Sequence, residues 1–254
     1  MTISGEDDLQ RLRDIGRIVA MVLRRMAEAM EPGMTTAELD AIGRALLERE
    51  GARSAPEACY NFPGATCISI NPEVAHGIPG DRVIAAGDLV NIDVSAEKDG
   101  LFADNGGSFV VPPSTARLDS LCGDGRKALA QALLAVRAGR PLDDIAMRVG
   151  RFARRRGYSQ IHNLLSHGVG RTLHDEPREI ATSHGLPDRG PDQRLMADGM
   201  VMAIEPFLST GAEWAEQGAD GWTLLADDPA SFTVQYEHTV VVTRRGPIIL
   251  TLEA

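Results

Sequence analysis

Residues 91–105, NIDVSAEKDGLFADN, read as a β-hairpin interrupted by two acids. Asp93 and Asp104 stand beside Ile92, Val94, Phe102 and Ala103, which belong in a core. In a hairpin with an even-numbered loop, residues that share one face across the two strands have numbers summing to an odd value, and this pair meets that condition. The two acids lie directly opposite if Lys98-Asp99 is the loop. They lie diagonally on one face if it is Asp99-Gly100, the better turn pair. Two like charges roughly 5–8 Å apart on a mostly buried face require protonation, an arginine or a metal cation.

The chain supplies three more residues of the same kind. SHGVG puts His167 in a glycine-flanked loop, and MAIEPF puts Glu205 at the end of an apolar strand, just before Pro206. TVQYEHTVVV puts Glu237 inside a strand, on one face with Gln235 and Thr239 and opposite the face of Val234, Tyr236, His238 and Val240. Any one of these alone reads as a structural hydrogen-bonder; together they read as a site. Four carboxylates and one imidazole would be neutralised by two divalent cations. An oxygen-rich set with one imidazole suits Mn(II), Fe(II), Co(II) or Zn(II).

The elements that must hold these residues alternate in an α+β order. Leu9, Leu12, Ile15, Val19, Val22, Leu23, Met26 and Met30 recur at helical spacing over residues 7–30, and Pro32-Gly33 ends that helix. Thr35 with Glu38 is a capping-box signature for a second helix, closed by Gly51. Short strands follow, from Cys67 to Ile70 and around 89–111, up to Pro112-Pro113. The second half repeats the outline, with a helix over about 115–137, another ending at Gly157, and strands near 200–205 and 233–243. A shift of 106 residues lays Gly33 on Gly139, Leu39 on Ile145 and Gly51 on Gly157. Two related α+β halves, about 1–112 and 113–254, are therefore expected to face each other across a cleft within a single domain.

Composition narrows the function. A formal net charge of -10 argues against a general affinity for nucleic acid, and the basic run Arg154–Arg156 reads as a solvated helix end. Three cysteines, Cys59, Cys67 and Cys122, form neither an even disulfide set nor a metal-finger spacing. No apolar run reaches the roughly 18 residues of a membrane span, and the polar, acidic N-terminus lacks a signal-peptide pattern. A soluble cytoplasmic protein is expected.

At this point the motifs resemble the type I methionine aminopeptidases of the pita-bread metallopeptidase family: CISINPEVAHGIPG (67–80), GDLVNIDVSAEKDGLFAD (87–104), SHGVGRTLHDEP (166–177), MAIEP (202–206) and QYEHTVVVT (235–243). The resemblance runs through nearly the whole chain. It implies a pita-bread fold of two pseudo-symmetric halves, antiparallel sheet flanked by helices, with Asp93, Asp104, His167, Glu205 and Glu237 as ligands of two divalent metal ions. It further implies that hydroxide held at the dinuclear site attacks the first peptide bond and releases N-terminal methionine, with Glu205 relaying the proton. His76 would contact the substrate backbone and His174 would steady the oxyanion. Cys59, Tyr60, Phe62, Cys67 and Trp222 would line the methionine pocket, nascent polypeptide N-termini near the ribosome would be the partners, and the chain would act as a monomer.

Two departures stand out. Asn105-Gly106-Gly107 follows Asp104 where the family often carries Ser or Thr, and Cys59-Tyr60-Asn61-Phe62 is an unusual pocket segment. The competing readings are another enzyme of the same fold, such as an Xaa-Pro peptidase or a specialised paralogue, and a pita-bread binding module without catalysis. Retention of all five ligands and both histidines weighs against the latter.

Overall fold

Helix α1, Glu6–Ala29, opens with Glu6, Asp7 and Asp8 against the positive end of its dipole and buries the stripe from Leu9 to Met26. The computed structural model describes residues 1–184 and 190–252. Gly16 lets α1 approach the backbone of Leu250, whose carbonyl oxygen would lie 2.5 Å from an added Cβ. Helix α2, Thr36–Arg49, starts on the expected capping box: Thr35 Oγ1 accepts from the Glu38 N–H at 3.2 Å, and the Glu38 carboxylate accepts from the Thr35 N–H at 2.8 Å. A short α3, Ala55–Tyr60, ends at Asn61 in the left-handed region (φ 55°).

These helices cover a four-stranded antiparallel sheet. The long hairpin Leu89–Lys98 and Leu101–Val110 is flanked on its first strand by Arg53–Ser54 and Cys67–Ile70. Ile68, Ile70, Val90, Ile92 and Val94 face Ile15, Val19, Val22, Met26 and Leu39 in one core. Helices α4, Ala116–Leu133, and α5, Asp143–Arg156, cover a second sheet in the order Ile248–Ile249, His238–Val241, Val201–Ile204, Ser166–Gly168, Asp175–Ile180. Helix α4 stops short of the expected residue 137. Its chain tightens through Ala135 N–H to Ala132 O and Val136 N–H to Leu133 O, which keep Ala135 and Val136 in the second core. Arg156 is not merely solvated: its guanidinium donates twice to the buried Asp124 carboxylate, at 2.7 and 3.1 Å.

The expected repeat is written in the backbone hydrogen bonds. Gly33 donates to Ile84 O and Gly139 to Met196 O, each at 2.9 Å. Ile84 N–H returns to Met34 O and Met196 N–H to Arg140 O. Thr36 donates to Arg82 O and Leu142 to Arg194 O, again each at 2.9 Å. Further on, Gly87 N–H to Val111 O is matched by Gly199 N–H to Val242 O, and Asp88 N–H to Ala85 O by Met200 N–H to Ala197 O. Counting onward equally from Gly87 and Gly199 reaches Asp93 and Glu205, so these two acids hold equivalent positions in the two halves.

The halves join edge to edge through hydroxyls. Thr239 Oγ1 accepts from Asp104 N–H and donates to Asp104 O, both at 2.8 Å. Ser108 Oγ accepts from Gln235 N–H at 3.0 Å and donates to Gln235 O at 3.1 Å. The outer strand of the first hairpin is thus laid along residues 235–239, and the candidate acids of both halves meet at this seam. Among the described residues no helix is long and apolar enough to cross a membrane.

Candidate active site

The hairpin resolves its own ambiguity. Asp99 (φ 53°) and Gly100 (φ 78°) form the two-residue loop, both in the left-handed region that such a turn needs. Ser95 then faces Asp104 and Asp93 faces Gly106, so the two carboxylates are diagonal neighbours on one face, close enough to share a proton. On the other side of its strand Asp93 faces Cys67.

The second pair of acids sits in a gap in a ladder. His238 pairs with Ile204, and Phe207 with Gln235, in one continuous antiparallel register. Between these pairs, Glu205-Pro206 and Tyr236-Glu237 leave the ladder, because Pro206 has no N–H to give it. Glu237 is therefore not inside a strand as expected but between two. Its N–H donates to Gly106 O at 3.0 Å and that of Glu205 to Ser166 Oγ at 2.8 Å. The shared face survives, since Gln235 Nε2 donates to Glu237 Oε2 at 3.0 Å and Gln235 Oε1 accepts from Asn91 Nδ2 at 2.9 Å. Gly106 makes room for this amide, because a Cβ there would lie 2.5 Å from Gln235 Oε1.

His167 also departs from expectation: it lies in the strand Ser166–Gly168, opposite Ala203, rather than in a loop. The following glycine permits the approach of the neighbouring strand, with Glu176 O 2.5 Å from the place of a Cβ. His167 Nδ1 donates to Gly168 O at 2.9 Å, which leaves Nε2 as a lone pair. That nitrogen lies 3.7 Å from both Asp104 Oδ2 and Glu205 Oε1.

Electrostatically the cluster is unbalanced. Burial pushes the Asp93 carboxyl up to about 6 and holds those of Asp104, Glu205 and Glu237 well above the carboxylate range, mutual repulsion adding to it. Burial and the nearby His174 push His167 down to about 3, so its ring is neutral. Among the described residues no arginine or lysine pairs with any of the four acids. Asp104 Oδ1 and Glu237 Oε1 are buried without any hydrogen-bond partner, an arrangement costly unless something else binds them. Ligand atoms of Asp104, His167 and Glu237 lie within 4.8 Å of one another, with Asp93 and Glu205 adjoining. The donor set, the orphaned oxygens and the spacing fit divalent cations.

Around this centre His174 packs against His167, the rings tilted by 42° with centroids 4.1 Å apart, and its Nδ1 lies 2.6 Å from Tyr60 Oη. His76 (φ 54°) enters the same group, its imidazole lowered by burial and by His174. Phe62 meets Trp222 edge-on at 5.3 Å, and Cys67 is buried beside the acids. Cys59, next to Tyr60 in the last turn of α3, is exposed. Asn91, Ser166 and Ser108 carry supporting hydrogen bonds that the sequence reading assigned no role. Asn91 stands two residues before Asp93 as Gln235 does before Glu237, a spacing that places amide and acid on one strand face.

Residues 10–244 match the model of metallopeptidase family M24. The chain is 44% identical over 252 residues to methionine aminopeptidase 2 of Bacillus subtilis, covering 99% of each. Among solved structures, methionine aminopeptidase from Rickettsia prowazekii superimposes with a TM-score of 0.91 at 32% identity, covering 99% of this chain and 100% of that one. The prolidase from Pyrococcus furiosus shares the fold with a TM-score of 0.78 at 22% identity, and the match covers 66% of its length.

Proposed function

This chain belongs to metallopeptidase family M24, and from that premise we propose that it removes the N-terminal methionine of polypeptides by metal-dependent hydrolysis. The observation that carries the reading is the convergence of four acids and one neutral imidazole around two orphaned buried carboxylate oxygens. The end-to-end match with methionine aminopeptidases chooses the substrate.

In this reading Asp93, Asp104, His167, Glu205 and Glu237 hold two divalent cations, one of Mn, Fe, Co or Zn. Bound there, such ions supply an acidified water and polarise a peptide carbonyl. Glu205, part-exposed like Asp93 while Asp104, His167 and Glu237 are buried, takes a proton from water on its carboxylate and returns it to the leaving amine. His76 binds the substrate backbone, and His174 donates to the developing oxyanion. The recess of Phe62, Cys67 and Trp222, with Tyr60 and Cys59 at its rim, receives the methionine side chain. A free α-amine would be the group such metals accept, and this would restrict cleavage to the first residue. The two halves act as one catalytic domain, a monomer working in the cytoplasm on nascent chains.

Digestion of a Met-Ala-Ser peptide by the metal-loaded protein, with free methionine as readout, tests the proposal. Release abolished by chelation and restored by added metal supports it; no release with any of the four metals overturns it.

A further inference from the structure

Tyr60 is exposed at the end of α3, yet its hydroxyl is engaged within the molecule. Tyr60 Oη lies 2.6 Å from His174 Nδ1, joining residues 114 positions apart in the chain. Among the described residues no other hydrogen bond reaches the His174 ring, because the remaining one at this residue runs from Thr172 Oγ1 to the His174 carbonyl, at 3.0 Å. The ring is therefore located by tilted ring contacts with His167 and Tyr60, centroids 4.1 and 5.5 Å apart, and by one hydrogen bond, with the Tyr60 hydroxyl.

The tyrosine is itself firmly placed. It is the last residue of α3, where Asn61 in the left-handed region returns its N–H to Glu57 O at 3.1 Å. Ser54 caps the start of α3, and Glu57 forms a two-point ion pair with Arg44 on α2, at 2.7 and 2.9 Å. This bidentate pair fixes the short helix, and through it the phenol, against the first half of the molecule.

We propose that Tyr60 is a positioning residue for His174: its phenolic O–H donates to Nδ1 and holds the neutral ring as the Nε2–H tautomer, so that Nε2 presents the only proton to the substrate carbonyl oxygen. A neutral imidazole has one donor and one acceptor nitrogen, and a phenol is a better donor than acceptor, so engaging Nδ1 settles which nitrogen donates. Without the hydroxyl, the tautomer with its proton on Nδ1 becomes accessible. That form offers the oxyanion a lone pair in place of a proton.

The inference rests on the aminopeptidase reading, and its test separates the two. Tyr60→Phe removes one oxygen from a half-exposed ring and keeps the wall of the recess. In the full-length, metal-loaded enzyme it should lower kcat on Met-Ala-Ser about tenfold, the worth of one well-placed hydrogen bond, with KM and metal content unchanged. In a His174→Ala background the same change should have no effect on kcat. Nitrogen-15 NMR of the zinc-loaded protein supplies a readout independent of turnover: His174 should be a single Nε2–H tautomer in the wild type and a mixture in Tyr60→Phe. An effect on KM alone, an equal effect in both backgrounds, or an Nδ1–H signal in the wild type would each overturn the proposal. If the wild type releases no methionine, the aminopeptidase reading falls while the NMR comparison still decides the tautomer.

Discussion

Glu205 faces Glu237 across a break in an otherwise continuous antiparallel ladder. The pairs Ile204–His238 and Phe207–Gln235 on either side keep one register, and Pro206 supplies the break by withholding an N–H. Opposed like charges destabilise a strand pair, so the fold keeps them here at a cost that a bound cation removes. The first half answers with Asp93, at the position equivalent to Glu205, and the diagonal Asp104.

Removing a ligand charge should remove metal and activity together. Asp93→Asn and Glu237→Gln are expected to lower metal occupancy, measured by elemental analysis after dialysis, and to reduce turnover more than ~10²-fold. Gln235→Ala, which unties Glu237 Oε2 and Asn91, should cost ~10- to 100-fold in metal affinity, the usual weight of an outer hydrogen-bond partner. Full activity without bound metal in either ligand variant would remove the assignment.

The metal-free protein should become less stable as pH rises. Asp93, raised to about 6 by burial, holds a proton in the folded state that the unfolded chain has already released above about pH 4. Its contribution is complete below the unfolded pKa and is lost as pH climbs through about 6; Asp104, Glu205 and Glu237 extend the loss upward. Chelator-treated Asp93→Asn should therefore melt above chelator-treated wild type at about pH 7.5, by on the order of 2 kcal/mol, with the gap closing by about pH 4. A gap that widens on acidification would contradict the sign.

His174→Ala should leave metal content near normal and depress kcat ~10²- to 10³-fold, because an oxyanion donor acts fully only in the transition state. A rise in KM with unchanged kcat would assign His174 to ground-state binding instead.

Substrate choice should follow the recess and the free amine. Met-Gly, Met-Ala and Met-Ser peptides are expected to be trimmed, Met-Lys and Met-Phe to resist, and N-acetylated versions to remain whole. Trp222→Ala, which removes the partner of Phe62, should weaken the preference for methionine by roughly 1–3 kcal/mol. Competitive digestion of a library varied at the first two residues checks this, and a preference for Xaa-Pro bonds would redirect the assignment within the fold.

Much of this molecule is legible along the chain because its signals are local. Alternation and loop parity put Asp93 and Asp104 on one face before any fold is known, and Thr35 with Glu38 caps a helix within a single turn. An acid in an apolar run, as at Glu205, has no local explanation and so announces a site. The repeat could be sensed from Gly33 and Gly139, since both take the left-handed backbone that glycine tolerates best.

Other features depend on which distant segments pack together, and periodicity carries no record of that. Glu237 leaves its strand because Pro206, between the facing strands Val201–Ile204 and Phe207–Ser209, deprives the ladder of a donor, and His167 is a strand residue because Val201–Ile204 offers it an edge. The orphaned oxygens of Asp104 and Glu237 become visible only when two half-sheets close on each other, for a lone pair counts as unsatisfied only after water has been excluded from it. Tyr60 reads from sequence as a pocket residue. Its hydroxyl meets His174 because α3 is tied to α2 while the His174 segment pairs with the opposite half's sheet, a meeting of long-range contacts that no window of neighbouring residues contains.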